Sequence, residues 1–179
     1  MATTGIEWLL HFFGMSNEGW RDVRNDLLLE IEQHPDEYNL LFYGLDRVEE
    51  MKRSLRCQSS IVGREHWMTM SKMGYVISSY YKIIVVLISM NQCLTFFPIR
   101  DPPPPASSHW ILCIGYVGSC HFQGLELTLD APLPPVTTTW ERFHLDNASS
   151  WVTPYISRME VFRSLAGTNV ALVDDVDLI

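Results

Sequence analysis

Lys82-Ile83-Ile84-Val85-Val86-Leu87-Ile88 is β-branched and apolar at both alternating sets of positions. Successive strand side chains point to opposite faces. A run that is apolar on both faces therefore predicts a central strand covered on both sides. The longer stretch from Met73 to Met90 imitates a membrane span, but Ser78, Ser79 and Lys82 interrupt its middle. A Lys at the centre of a bilayer costs about 2.5 kcal/mol or more. A helix leading into a buried strand accounts for the same residues without that cost, so no membrane partner is expected.

Upstream of this stretch the apolar residues recur every three or four positions, the helical period. Ile6–Phe13 predicts a short apolar helix stopped by Gly14. Ser16 or Asn17 is then expected to cap a second helix, with Trp20, Val23, Leu27 and Ile31 on one face. Its other face (Arg21, Asp22, Arg24, Asp26, Glu30) reads as a solvated surface. Pro35 suits the first turn of a third helix that packs Tyr38, Leu41 and Phe42. Asp46 is expected to cap a fourth, running through Val48, Met51 and Leu55. Residues 57–63 read as a loop.

Downstream the pattern turns to strands. Asn91-Gln92 predicts a turn into Cys93–Phe97, a hairpin partner for the central strand. Pro102 to Pro105 forms a loop that can join no ladder. Trp110–Val117 and His121–Leu129 read as two further strands joined by Gly118-Ser119-Cys120, and Pro132, Pro134 and Pro135 end the sheet. Residues 147–165 predict a last helix, with Trp151, Tyr155, Met159 and Phe162 at helical spacing. Trp20, Trp67, Trp110 and Trp151 read as core, whereas Trp8 is expected to be exposed. Helices first and a small sheet later predict an α+β fold, not alternating βαβ units. One domain over residues 1–165 is expected, followed by a mobile acidic tail over 166–179.

Composition narrows the function. The formal net charge of −8 opposes nucleic-acid binding, which needs a basic face to displace counterions from phosphates. The 4 cysteines form no Cys-x-x-Cys pair and no His lies at zinc-ligand spacing from them, so no metal or other cofactor is expected. With 47% hydrophobic residues the chain needs no disulfide staples, and it opens on no charged, apolar signal sequence. Reduced thiols in a cytoplasmic or nuclear protein are the expectation. Cys93 and Cys113 read as small core residues, and Cys57 as an exposed loop residue. The pairs Glu49-Glu50 and Asp174-Asp175 read as solvated. The one histidine placed for chemistry is His121, at the start of an edge strand, where an imidazole can stand over a cleft as a base.

Several short motifs occur in a fixed order: Gly14-Met15, Trp20-Arg21-Asp22-Val23-Arg24-Asn25-Asp26-Leu27-Leu28, Gly74-Tyr75-Val76-Ile77, Leu94-Thr95-Phe96-Phe97-Pro98, and His121-Phe122. Pro132-Leu133-Pro134-Pro135-Val136 and Trp151 with Pro154-Tyr155-Ile156-Ser157-Arg158 continue it. The series resembles the ovarian-tumour (OTU) family of cysteine deubiquitinases, most closely the OTU-like domains of plants associated with transposon-derived genes. The likeness runs from about residue 5 to 165. It implies a papain-type cysteine-protease fold, with helices around a small, mostly antiparallel sheet.

In that family the domain opens with Asp-Gly-Asn-Cys-Gly. The Cys is the nucleophile at a helix N-terminus, the preceding amides form the oxyanion hole, and a His from a late strand is the base. Counting back from Gly14-Met15, Gly5 falls on the Gly after the Cys and Thr4 on the Cys itself. Met1 to Thr3 replace the oxyanion loop, and Glu7 stands where Arg is usual. Gly5 and His121 match the family; Thr4 does not. A hydroxyl has a pKa far above that of a thiol, and a His that serves a thiolate does not suffice for it. The resemblance thus implies a catalytically impaired pseudo-deubiquitinase that binds ubiquitin or a ubiquitinated protein. The alternatives are an active deubiquitinase with another nucleophile or N-terminus, and a non-ubiquitin remnant or interaction domain.

Overall fold

The computed structural model describes residues 7–14, 19–57, 70–117 and 121–166; for Glu7, Trp8, His11 and His121 it describes the backbone only. Helices come first: α1 (Glu7–Phe12), α2 (Trp20–Gln33), α3 (Pro35–Leu41), α4 (Leu45–Leu55) and α5 (Met70–Tyr81). Strands β1 (Ile84–Ser89), β2 (Leu94–Phe96), β3 (Ile111–Val117) and β4 (His121–Leu125) follow, then α6 (Thr138–Phe143) and α7 (Ile156–Ala166). The architecture is α+β, with the sheet order β2-β1-β3-β4.

The sheet is mixed. β1 pairs antiparallel with β2 and β3 antiparallel with β4, while the central pair β1 and β3 is parallel, with Ile84 opposite Ile111 and Ser89 opposite Tyr116. Parallel neighbours need a long return connection, and the segment holding β2 and the proline loop supplies it. Residues 84–87 of β1 are buried, as a strand apolar on both faces requires. Helix α5 packs against β1 and β2 on one side and against α2 on the other, which makes it the middle layer. α2 in turn packs on α4. One buried apolar cluster runs from Leu9 to Met159.

Helix ends differ from the sequence expectations in instructive ways. Ser16 and Asn17 lie outside the described residues; the residue before α2 is Gly19, with no side-chain cap. Asp46 sits inside the first turn of α4, where a carboxylate meets the positive end of the helix dipole, and Gly44 occupies the cap position. At the end of α3 the Gly44 N–H donates to the Asn39 carbonyl, a closure that holds Tyr43 at a φ of 58°.

The C-terminal third departs most from expectation. Residues 146–151 and 153–155 wind as 3₁₀ turns, and α7 begins only at Ile156. Pro154 has no N–H to give an α-helical ladder, and the indole of Trp151 is drawn off to the Asp101 carbonyl at 2.7 Å. Helix α6 was not legible in the sequence; the Thr137 hydroxyl starts it by accepting the Trp140 N–H. The prolines after β4 do more than end the sheet. The Thr95 N–H donates to the Pro135 carbonyl at 3.0 Å and the Thr95 hydroxyl to the Pro134 carbonyl at 2.8 Å, so this segment covers the outer edge of β2. β4 is shorter than expected, and Trp110, expected in the core, is 62% exposed. Trp151 is fully buried and Trp20 half-buried; Trp67, residues 58–63 and the tail from residue 167 lie outside the described residues.

Candidate functional site

Thr4 and Gly5 lie outside the described residues, and the side chain of His121 is likewise not described. The backbone nevertheless sets their frame. His121 opens the edge strand β4, opposite Val117. Helix α1, which begins two residues after Gly5, packs against β4. Its last residue, Phe12, sits edge-on to Trp110 with ring centres 5.9 Å apart. Trp110 precedes β3, and the β3–β4 register runs from Cys113 with Leu125 to Val117 with His121. The C-terminal end of α1 therefore lies at the opposite end of this strand pair from His121. Along β4, Gln123, Gly124 and Leu125 are exposed, and among the described residues no strand pairs with its outer edge.

Cys113 and Cys93 lie in and beside the sheet. Cys113 is buried in β3, and that burial pushes its thiol up to about 11, away from the reactive thiolate. Cys93 donates its S–H to the Ser89 carbonyl at 3.3 Å. Two of the other described histidines, His109 and His144, are held by structural bonds. His109 lies between the Tyr155 hydroxyl and the Pro104 carbonyl, each at 2.9 Å, and its ring lies 4.8 Å from that of Trp151. His144 stacks on Trp140 at 4.1 Å and bonds its carbonyl. Among the described residues no three His, Cys, Asp or Glu side chains group as metal ligands, and no helix is long and apolar enough to cross a membrane.

Two charged residues of α2 correct the expectation of a solvated face. Arg24 and Glu30 are buried, at 0% and 3% exposure. At about 100° per residue Arg24 falls about 40° from Trp20, inside the apolar stripe, and that angle was the available signal. Glu30 is paired: it bonds Arg100 and accepts the Tyr38 hydroxyl at 2.6 Å, while Arg100 also meets Glu37 at 3.1 Å. Arg24 is not paired in this way. Its Nη1 donates to the Ser54 carbonyl at 2.6 Å, whereas Nε and Nη2 have no partner among the described residues. Each buried, unsatisfied donor costs about 1–3 kcal/mol.

A concavity of about 50 Å³ is lined in part by Tyr43, Ser71, Lys72 and Tyr75. Burial pushes the Lys72 amine down, and Glu50, 3.8 Å away, acts against this. The space holds a water or two, not a substrate. Comparison of the whole chain with protein-family models, curated proteins and solved structures finds no match.

Proposed function

We propose that this chain is an OTU-like scaffold, cytoplasmic or nuclear, that binds ubiquitin or a ubiquitinated protein without cleaving it. Thr4 takes the place of the nucleophile, Gly5 belongs to the former site loop, and His121 is a residual base. The observation that supports this most is the packing of α1 on β4, with the C-terminal end of α1 at the strand end remote from His121. In a Cys–His hydrolase the nucleophile sits at a helix N-terminus, where the dipole favours a thiolate, and the base faces it from a strand. Here a helix follows the Thr4-Gly5 pair and lies on the strand that His121 opens. The missing element is chemical. A threonine hydroxyl is not ionised by an imidazole alone, and replacement of the loop before it removes oxyanion donors, each worth about 10²–10³ in rate.

The test is an activity-based ubiquitin probe carrying a C-terminal electrophile, with diubiquitin cleavage and ubiquitin titration followed by NMR in parallel. The expected result is no adduct, no cleavage, and ubiquitin shifts that saturate on titration. A covalent adduct abolished by mutating any one cysteine would instead establish an active enzyme with another nucleophile. Neither adduct nor binding would leave a domain with no ubiquitin role.

A further inference from the structure

Four prolines in a row, Pro102 to Pro105, stand on the connection between β2 and β3. Proline locks its own φ at about −65°, and the residue before a proline is held at an extended ψ. Pro102, Pro103 and Pro104 are each followed by another proline, so sterics alone set both of their dihedrals to the polyproline II helix. Pro105 continues it, with a φ of −53° and a ψ of 139°. This helix has about three residues per turn, which places Pro102 and Pro105 on one edge, about 9 Å apart. Those two rings and that of Pro104 are exposed, while Pro103 is half-buried. The run is fastened at both ends. The Trp151 indole donates to the Asp101 carbonyl at 2.7 Å, and the Ser108 N–H donates to the Pro105 carbonyl at 2.8 Å. Nε2 of His109 donates to the Pro104 carbonyl at 2.9 Å, since a carbonyl only accepts. Among the described residues nothing donates to the Pro102 and Pro103 carbonyls. The neighbouring cations are engaged: Arg100 with Glu30 and Glu37, and Lys82 with Asp101 at 3.6 Å. A connection that needed only stiffness would turn its rings inward; here three are exposed, beside two carbonyls free to accept.

We propose that Pro102 to Pro105 is a docking loop for a partner protein whose groove is lined by aromatic rings. Such grooves take the polyproline II helix because its rings pack between aromatic side chains and its carbonyls accept from indole and phenol donors. The loop arrives with its conformation already set, so little chain entropy is lost on docking. With the nearby cations engaged, recognition rests on rings and carbonyls, which selects a groove without an acidic pocket. The docking loop shares no residue with α1 or β4, and its binding stands or falls independently of ubiquitin.

The full-length chain is titrated by calorimetry with profilin and with a polyproline-binding WW domain, two proteins whose grooves are aromatic. At least one is expected to bind, and the free peptide from Ile99 to His109 is expected to compete for the same groove. Pro102→Ala and Pro105→Ala each remove two methylenes from the contacting edge, so each is expected to weaken binding about tenfold. Pro103→Ala, on the half-buried side, is expected to weaken it less. Should a variant fail to fold, displacement of the native chain from the groove by a polyproline peptide takes its place. No binding by the folded chain would overturn the proposal even where the free peptide binds, because the loop would then be closed to a partner. So would binding that neither edge substitution weakens, or that polyproline does not displace.

Discussion

A methyl group added at Gly74 would stand 2.6 Å from the Phe96 ring, closer than any side chain settles. Gly74 lies inside α5, where Gly is otherwise a poor choice, and the contact explains it: the helix crosses β2 with no room for a Cβ. Phe96 cannot step aside, because it is fully buried and Tyr75 packs edge-on against it at 5.0 Å. For Gly74→Ala two effects oppose each other. Better helix propensity is worth about 1 kcal/mol, and overpacking costs about 1–3 kcal/mol. With both neighbours locked, overpacking wins, and a net loss of up to about 2 kcal/mol is expected as a lower urea midpoint at unchanged m-value. Equal or greater stability would mean that the α5–β2 crossing is loose.

Between elements, the ties are hydrogen bonds from one helix to another. Asp26 of α2 accepts the hydroxyls of both Tyr80 and Tyr81 at the end of α5, at 2.8 and 3.0 Å. The bond to Asp26 and burial push Tyr80 up to about 12, and burial followed by Asp26 pushes Tyr81 up as well. An unfolded tyrosine titrates near about 10. The folded chain therefore keeps phenolic protons that the unfolded chain releases. The stability they contribute is complete below about pH 10 and falls as pH rises toward about 12. Urea midpoints measured across this window should fall with pH, and less steeply for Tyr80→Phe; parallel profiles would show that the clamp does not titrate. The sequence showed such ties only in part. β1 and helices α2 to α5 were legible because periodicity is a local signal. The Pro134–Val136 cover on β2 was not, since its bonds join residues about forty apart and prolines look the same in any loop. Six-residue α6 is too short to show a period. The burial of Arg24 and Glu30 was concealed by counting charged residues as solvated, although their helical angle placed Arg24 in the stripe.

For the molecule as a whole, the proposed function depends on a loop, a helix and a strand meeting at once. Of the candidate site, the sequence alone offered His121 on a sheet edge, and β4 is that edge strand. Thr4 and Gly5 entered only through the ordered resemblance, because a threonine and a glycine carry no catalytic signal of their own. If the proposed scaffold is intact and only its loop has decayed, repair must be strongly non-additive, since nucleophile, oxyanion donors and orienting groups act as a unit. Thr4→Cys alone is expected to restore little labelling by an electrophilic ubiquitin probe. Replacing residues 1–4 with Asp-Gly-Asn-Cys, together with Glu7→Arg, should restore more. Glu7 matters because a carboxylate near the thiol raises its pKa, whereas a guanidinium lowers it. Labelling is compared at equal protein concentration, with His121→Ala in the repaired background as control. Labelling that vanishes with His121→Ala would show that helix, strand and ubiquitin face still form one cleft. Full labelling by Thr4→Cys alone would refute a broken loop. Folded variants that never label would place the decay in the ubiquitin-facing surface, and the remnant-domain reading would then lead.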